Sequence, residues 1–151
     1  MKLTNNRVLT LLKKNECSKE CIKSFKAEMS RKISPRSGKN KGARLQKEVG
    51  QLFAKEFDLV FGVDEDIASR EMGQSGTDLR LSRHARTIVP FDVECKNAET
   101  WSVSKWWEQC LSNTAKDRLP LLVVSKNGHE NLAIVRVEDL VSLTKGDYSD
   151  N

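Results

Sequence analysis

The chain has no apolar run approaching the roughly 20 residues that a membrane-spanning helix needs, so no membrane partner is expected. It has no second cysteine or histidine pair that could complete a zinc site. Its four cysteines are Cys17, Cys21, Cys95 and Cys110, and only Cys17 and Cys21 stand at i, i+4, while His84 and His129 are isolated. Reduced thiols of a cytoplasmic protein are the expected state. No internal repeat is present, which excludes a solenoid or propeller. The opening apolar patch of Val8, Leu9, Leu11 and Leu12 is too short, and too basic at its far end, for a secretory signal. The first two helical stretches carry no helix-turn-helix turn signature.

What remains is a globular composition. The 151 residues are 38% hydrophobic and 31% charged. A domain of this length buries roughly 70% of the surface its unfolded chain exposes, so it needs no staples. The net charge of +5 hides an asymmetry. Residues 1–47 carry 14 Lys/Arg against 3 Glu, whereas residues 48–151 carry 12 Lys/Arg against 18 Asp/Glu. A basic arm on a mildly acidic body points to a polyanionic partner, with nucleic acid favoured.

Residues 3–14 and 16–33 read as helices, the second with Cys21, Ile22, Phe25 and Met29 as its apolar stripe. Ser34 to Gly42 reads as a charged linker with Pro35, Gly38 and Gly42. Ala43 to Phe57 is the strongest helix, with Leu45, Val49, Leu52, Phe53 and Phe57 on one face. Gln46 and Glu48 border that face. Short strands are expected within 64–70 and over 77–82, separated by the flexible loop Met72–Gly76, and a turn over 83–87. A helix follows over 102–116 with Ser102 as N-cap. Its buried side is Trp107, Cys110, Leu111 and Thr114. Trp101, Trp106 and Trp107 cluster near its start and read as core rather than as a base-stacking platform. A buried strand over 120–125, a strand over 131–137, a helix over 138–143 and a frayed tail complete the chain. This order gives an α/β domain with a central mixed sheet flanked by helices.

The centre of the sequence is the strand Ile88 to Lys96. Val89, Phe91, Val93 and Cys95 alternate with Pro90, Asp92, Glu94 and Lys96, so one face is apolar and the other ends with Glu94 and Lys96 side by side. Asp78 occupies the polar face of the preceding strand. If the two strands form an antiparallel hairpin, Asp78 and Glu94 meet at one end. Paired carboxylates repel unless a hard cation sits between them, and Mg²⁺ is held by one or two carboxylates plus waters and phosphate oxygens. Lys96 beside them can orient or deprotonate water, or stabilise charge on a phosphate. A plain Glu94–Lys96 ion pair is the competing reading.

Gly76-Thr77-Asp78 followed by Glu94-Cys95-Lys96 resembles the PD-(D/E)xK nuclease superfamily. That resemblance implies a restriction-endonuclease-like core of order α-β-β-β-α-β, here with a basic N-terminal helical arm. Residues 1–38 would be arm and linker, and residues 39–151 the nuclease domain. Within the superfamily the chain is similar to archaeal-type and phage Holliday junction resolvases and related small phage endonucleases. The carrying residues are Lys41 to Val49, Arg70, Ser75 to Asp78 and Ile88 to Asn97, a likeness spanning roughly 39–137.

By this resemblance Asp78 and Glu94 bind Mg²⁺ (Mn²⁺ can substitute), with the Cys95 carbonyl as a backbone ligand and Lys96 as the catalytic lysine. Lys39, Lys41, Arg44, Arg70 and Ser75 would lie along the DNA backbone. The chain departs from the pattern in one place. The resolvase helix glutamate lies four residues after the glycine, and counting from Gly42 that position holds Gln46. Either Gln46 orients water as a neutral group, or another register brings in Glu48, which is preferred because a carboxylate does more for a metal. The expected function is a Mg²⁺-dependent DNA endonuclease acting on branched DNA as a homodimer, in the host cytoplasm if phage-encoded. The alternatives are a restriction-like or repair endonuclease on duplex DNA, or a non-catalytic DNA-binding protein.

Overall fold

The computed structural model describes residues 35–71 and 73–146, together with Glu20, Ile22 and Lys23. The chain divides into two units, Met1–Ser34 and Pro35–Asn151. Glu20, Ile22 and Lys23 are helical. The rest of the expected N-terminal helices, with Cys17 and Cys21, and the tail beyond residue 146 lie outside the described residues.

Helix α1 runs Pro35–Glu56. The stretch expected as a linker is therefore the first turns of this helix. Proline is tolerated there because the first helical N–H groups have no intrahelical acceptor in any case. The buried stripe is Leu45, Val49 and Ala54, with Phe53 half-buried, while Leu52 is exposed. The helix stops at Asp58, whose φ is 56°. Leu59 N donates to Ala54 O at 2.8 Å, closing a Schellman-type turn whose two flanking apolar residues are both buried. Gly50 is required by close approach: a Cβ there would collide with the Phe61 ring.

Strands β1 (Ile67–Ser69) and β2 (Leu79–Leu81) pair antiparallel, with Ile67 opposite Leu81. Next comes helix α2, Arg83–Ile88, where only a turn was expected. Its cause is Ser82, whose Oγ accepts from Ala85 N at 3.0 Å and donates to Asp66 Oδ1 at 3.0 Å. The central strand β3 therefore starts at Phe91 and runs to Asn97.

Helix α3 (Val103–Asn113) crosses over to β4 (Leu119–Ser125), which lies parallel to β3 with Glu94 opposite Leu122. Ser102 occupies the N-cap position but makes no side-chain cap bond. Strand β5 (Leu132–Ile134) returns antiparallel to β4, and α4 (Val137–Lys145) closes on a left-handed Gly146. The result is a mixed three-stranded sheet, β3-β4-β5, beside the β1-β2 pair. The α/β class and the α-β-β-β-α-β order are those expected from sequence, with α2 inserted before β3.

Period-two alternation distributes the sheet between two cores. Val93, Cys95, Leu121 and Val123 pack against Leu45 and Val49 of α1. Leu122 and Val124 pack on the other face against Cys110, Trp106 and Trp107 of α3. Leu111, expected on the buried side of α3, is 37% exposed. The consequence for β3 is large. Its polar face, which alternation alone leaves open to water, is covered by α3, and Asp92 and Glu94 are both buried.

Two buried acids on one strand need partners. Asp92 Oδ1 accepts from Arg118 Nε at 2.8 Å, and Oδ2 from Ala115 N at 3.0 Å. Arg118 also donates to Val89 O and Phe91 O at 2.6 Å each, which ties the start of β3 to the segment entering β4. Asp92 is thus a structural acid, and β3 delivers Glu94 to a fixed place.

Candidate active site

Glu94 is only 2% exposed. Its Oε1 accepts from Lys96 Nζ at 2.6 Å, and its Oε2 from Asn113 Nδ2 at 3.1 Å. Strand spacing puts Lys96 on the same face as Glu94, and the last turn of α3 supplies Asn113. Asn113 was not singled out from sequence. It stands three residues after Cys110, and the helical face that buries Cys110 carries the signal that would have found it.

Asp78 reaches the same strand by a different route from the one expected. No β2–β3 ladder forms, because α2 separates the two strands and β2 pairs with β1 instead. Asp78 is joined to β3 by its own ends. Its N–H donates to Val93 O at 2.9 Å, and its Oδ2 accepts from Cys95 N at 2.6 Å. The two carboxylates therefore meet across a single strand. Burial pushes the Asp78 carboxyl up to about 6, with the Glu94 charge adding to the rise. The Cys95 N–H, the Lys96 charge and hydrogen bonding from Gln46 act against it.

The helix residues separate. Gln46 of α1 is turned toward Asp78. Glu48 instead accepts from Arg44 Nε at 2.9 Å on the exposed side of α1. Two residues further along a helix is about 200° of rotation, so both cannot face one site.

Arg70 braces the loop before Asp78. Its backbone N–H donates to Asp78 O at 2.8 Å and its Nε to Thr77 O at 2.6 Å. Gly76, at φ 109°, lets this happen, because a Cβ there would press on the Arg70 guanidinium at 3.2 Å. Lys41 lies 3.6 Å from Glu99. Lys39 and Ser75 are exposed. Burial pushes the Cys95 thiol far above its usual range and the Cys110 thiol up to about 11, so neither is a nucleophile at neutral pH.

A hard divalent cation fits this donor set. Asp78 and Glu94 are oxygen donors placed close enough that the Glu94 charge raises the Asp78 carboxyl, and a cation between them relieves that penalty. No group of three or more acidic, His or Cys side chains suited to a metal occurs among the described residues. Two carboxylates are the whole side-chain acid complement here.

An acid fixed by the turn before one strand, and an acid and a lysine two apart on the next, under a helix that crosses the sheet, define the PD-(D/E)xK nuclease class. Within that class the assignment narrows: the model of the family described as "phage putative PDDEXK endonuclease" matches residues 37–149, most of the chain, and the chain belongs to this family. No curated protein and no solved structure matches the chain. No helix among the described residues is long and apolar enough to cross a membrane.

Proposed function

We propose that this chain is a Mg²⁺-dependent endonuclease that hydrolyses phosphodiester bonds of branched DNA, with Mn²⁺ able to substitute. The observation that carries the proposal is the meeting of two carboxylates on β3, one buried with Lys96 on it and the other pushed up to about 6. Asp78 and Glu94 would hold the cation, with the Cys95 carbonyl oxygen beside them. The cation would supply Lewis acidity toward the phosphate and acidify water.

The chain's own residues divide the remaining work. Asn113 holds one oxygen of Glu94, which leaves the carboxylate a single orientation. Lys96 holds a proton at Nζ next to Glu94 and can orient the attacking water, or give the proton to the leaving oxygen. Gln46, rather than Glu48, is the helix residue of the site, as a neutral group that orients water near Asp78. Lys39, Lys41, Arg44 and Ser75 contact the DNA backbone. Arg70 does so while holding the Asp78 loop. A homodimer fits the two-fold character of a four-way junction.

The test is cleavage of supercoiled plasmid with Mg²⁺, which Asp78→Ala and Glu94→Ala each abolish. Equal product from wild type and both variants rejects the site. A four-way junction is then compared with linear duplex of the same sequence. Cleavage at equal rates assigns the enzyme to duplex DNA and removes the junction specificity.

A further inference from the structure

The three tryptophans have different surroundings. Trp106 and Trp107 pack on Cys110, Leu122 and Val124. Trp101 belongs to neither core and is 37% exposed, and its Nε1 donates to Ala98 O at 3.1 Å, which fixes one edge of the ring. It lines a cavity of about 590 Å³ with Glu99, Lys126, His129, Glu130 and Leu132. That volume lies within the range of about 300–1,000 Å³ in which small organic groups are bound.

The position is as informative as the size. Glu99 and Trp101 follow β3, and Lys126 and His129 follow β4, so the cavity opens at the carboxyl ends of the parallel pair. Ligands of open parallel sheets bind at that end. The two segments are stitched together by Ala98 N donating to Ser125 O at 3.1 Å. A second hollow of about 270 Å³ shares Lys126, His129 and Glu130 with the first and extends to Asn97 and Arg44. Asn97 directly follows Lys96. Its side-chain oxygen is buried with no hydrogen-bond partner among the described residues. The two hollows thus share a wall of Lys126, His129 and Glu130, and the second reaches Asn97, the residue after Lys96.

We infer that Trp101 and Leu132 wall a subsite for one unpaired nucleobase of the DNA strand held at the Asp78–Glu94 site. The inference rests on the nuclease reading and names the feature of the substrate that the enzyme recognises. An indole face stacks on any base, at about 1–3 kcal/mol per base. A base inside a duplex has both faces covered and cannot enter. Lys126 and His129 supply donors for the adjoining phosphate. Glu99 and Glu130 accept hydrogen bonds but donate none, which favours bases with an exocyclic amino group. Structures with unpaired nucleotides, such as bulges, gaps and open junction centres, are the substrates this chemistry selects.

The experiment uses 2-aminopurine in a single-nucleotide bulge, against the same sequence fully paired, with binding measured in EDTA so that cleavage plays no part. Wild type is expected to bind the bulge roughly tenfold more tightly than the paired duplex and to quench the 2-aminopurine by stacking. Trp101→Ala loses both the preference and the quench, while Trp101→Phe keeps most of each. Circular dichroism establishes that both variants are folded. No difference between bulged and paired DNA, or an undiminished quench in Trp101→Ala, overturns the subsite. Plasmid nicking with Mg²⁺ on the same preparation separates the two ideas. Bulge binding without nicking removes the nuclease and keeps the subsite, and nicking without bulge preference does the reverse.

Discussion

Replacing Asp78 by asparagine should make the metal-free protein more stable while destroying its activity. Burial and the nearby Glu94 charge push the Asp78 carboxyl from 3.8 up to about 6. At about 1.4 kcal/mol per unit this is nearly 3 kcal/mol, an upper bound. Asp78 is only half-buried, and solvent screening reduces the figure to about 1–2 kcal/mol. The direction follows from proton binding. The folded form holds the proton more tightly than the unfolded form. Below 3.8 both are protonated and the site costs nothing, and as pH rises from 3.8 through 6 the folded wild type loses stability.

Asparagine removes the charge and keeps an oxygen that can accept from Cys95 N. Urea denaturation in EDTA should therefore find Asp78→Asn more stable than wild type by about 1–2 kcal/mol near neutral pH, with the gap closing toward about pH 4. Excess Mg²⁺ should reverse the order, because on the proposed reading it binds only the wild-type site and stabilises by mass action. A variant that is less stable than wild type in EDTA near neutral pH, or a gap that does not change with pH, would refute the reasoning.

Arg118→Met should cost about 3–5 kcal/mol in the same denaturation assay, because it leaves Asp92 charged and buried and strips donors from Val89 O and Phe91 O. Adding Asp92→Asn to it should recover part of the loss, which a double-mutant cycle reads directly. Gln46→Ala should lower the Mg²⁺-dependent cleavage rate by about 10–100-fold, the usual cost of losing a polar group that supports a metal site, and Glu48→Ala should lower it less. Gly50→Val should lower stability by about 1–3 kcal/mol through collision with Phe61, seen as a lower urea midpoint with unchanged slope.

The parts legible in the sequence are those set by local spacing. Alternation over 91–95 marked β3, and the apolar run over 121–124 marked a buried strand, because a strand's faces repeat every two residues whatever packs on them. Residue types at short spacing carried the likeness to the nuclease class: an acid after a glycine turn, and an acid and a lysine two apart. The extent of α1 was less legible. Pro35, Gly38 and Gly42 are residues of linkers, yet all three fit within the first turns of a helix whose stability comes from the packing of Leu45 and Val49 further along.

What the sequence by itself determined, then, is the class of fold and the choice of Asp78, Glu94 and Lys96 as the residues of the proposed site. What only the tertiary structure decided is how that group is assembled. Asp78 arrives through hydrogen bonds to the backbone of β3, not through a hairpin. Asn113 arrives from 19 residues beyond Glu94. Gln46 and Glu48 differ by a rotation about the helix axis, and only the packing of α1 on the sheet sets which one faces inward. The physical reason is common to all three. Spacing along the chain fixes which side chains share a face, but which face is covered depends on residues distant in sequence. Here α3 covers the face of β3 that looked open, and by burying Glu94 it turns an ordinary surface ion pair into the Glu94–Lys96 half of the proposed site.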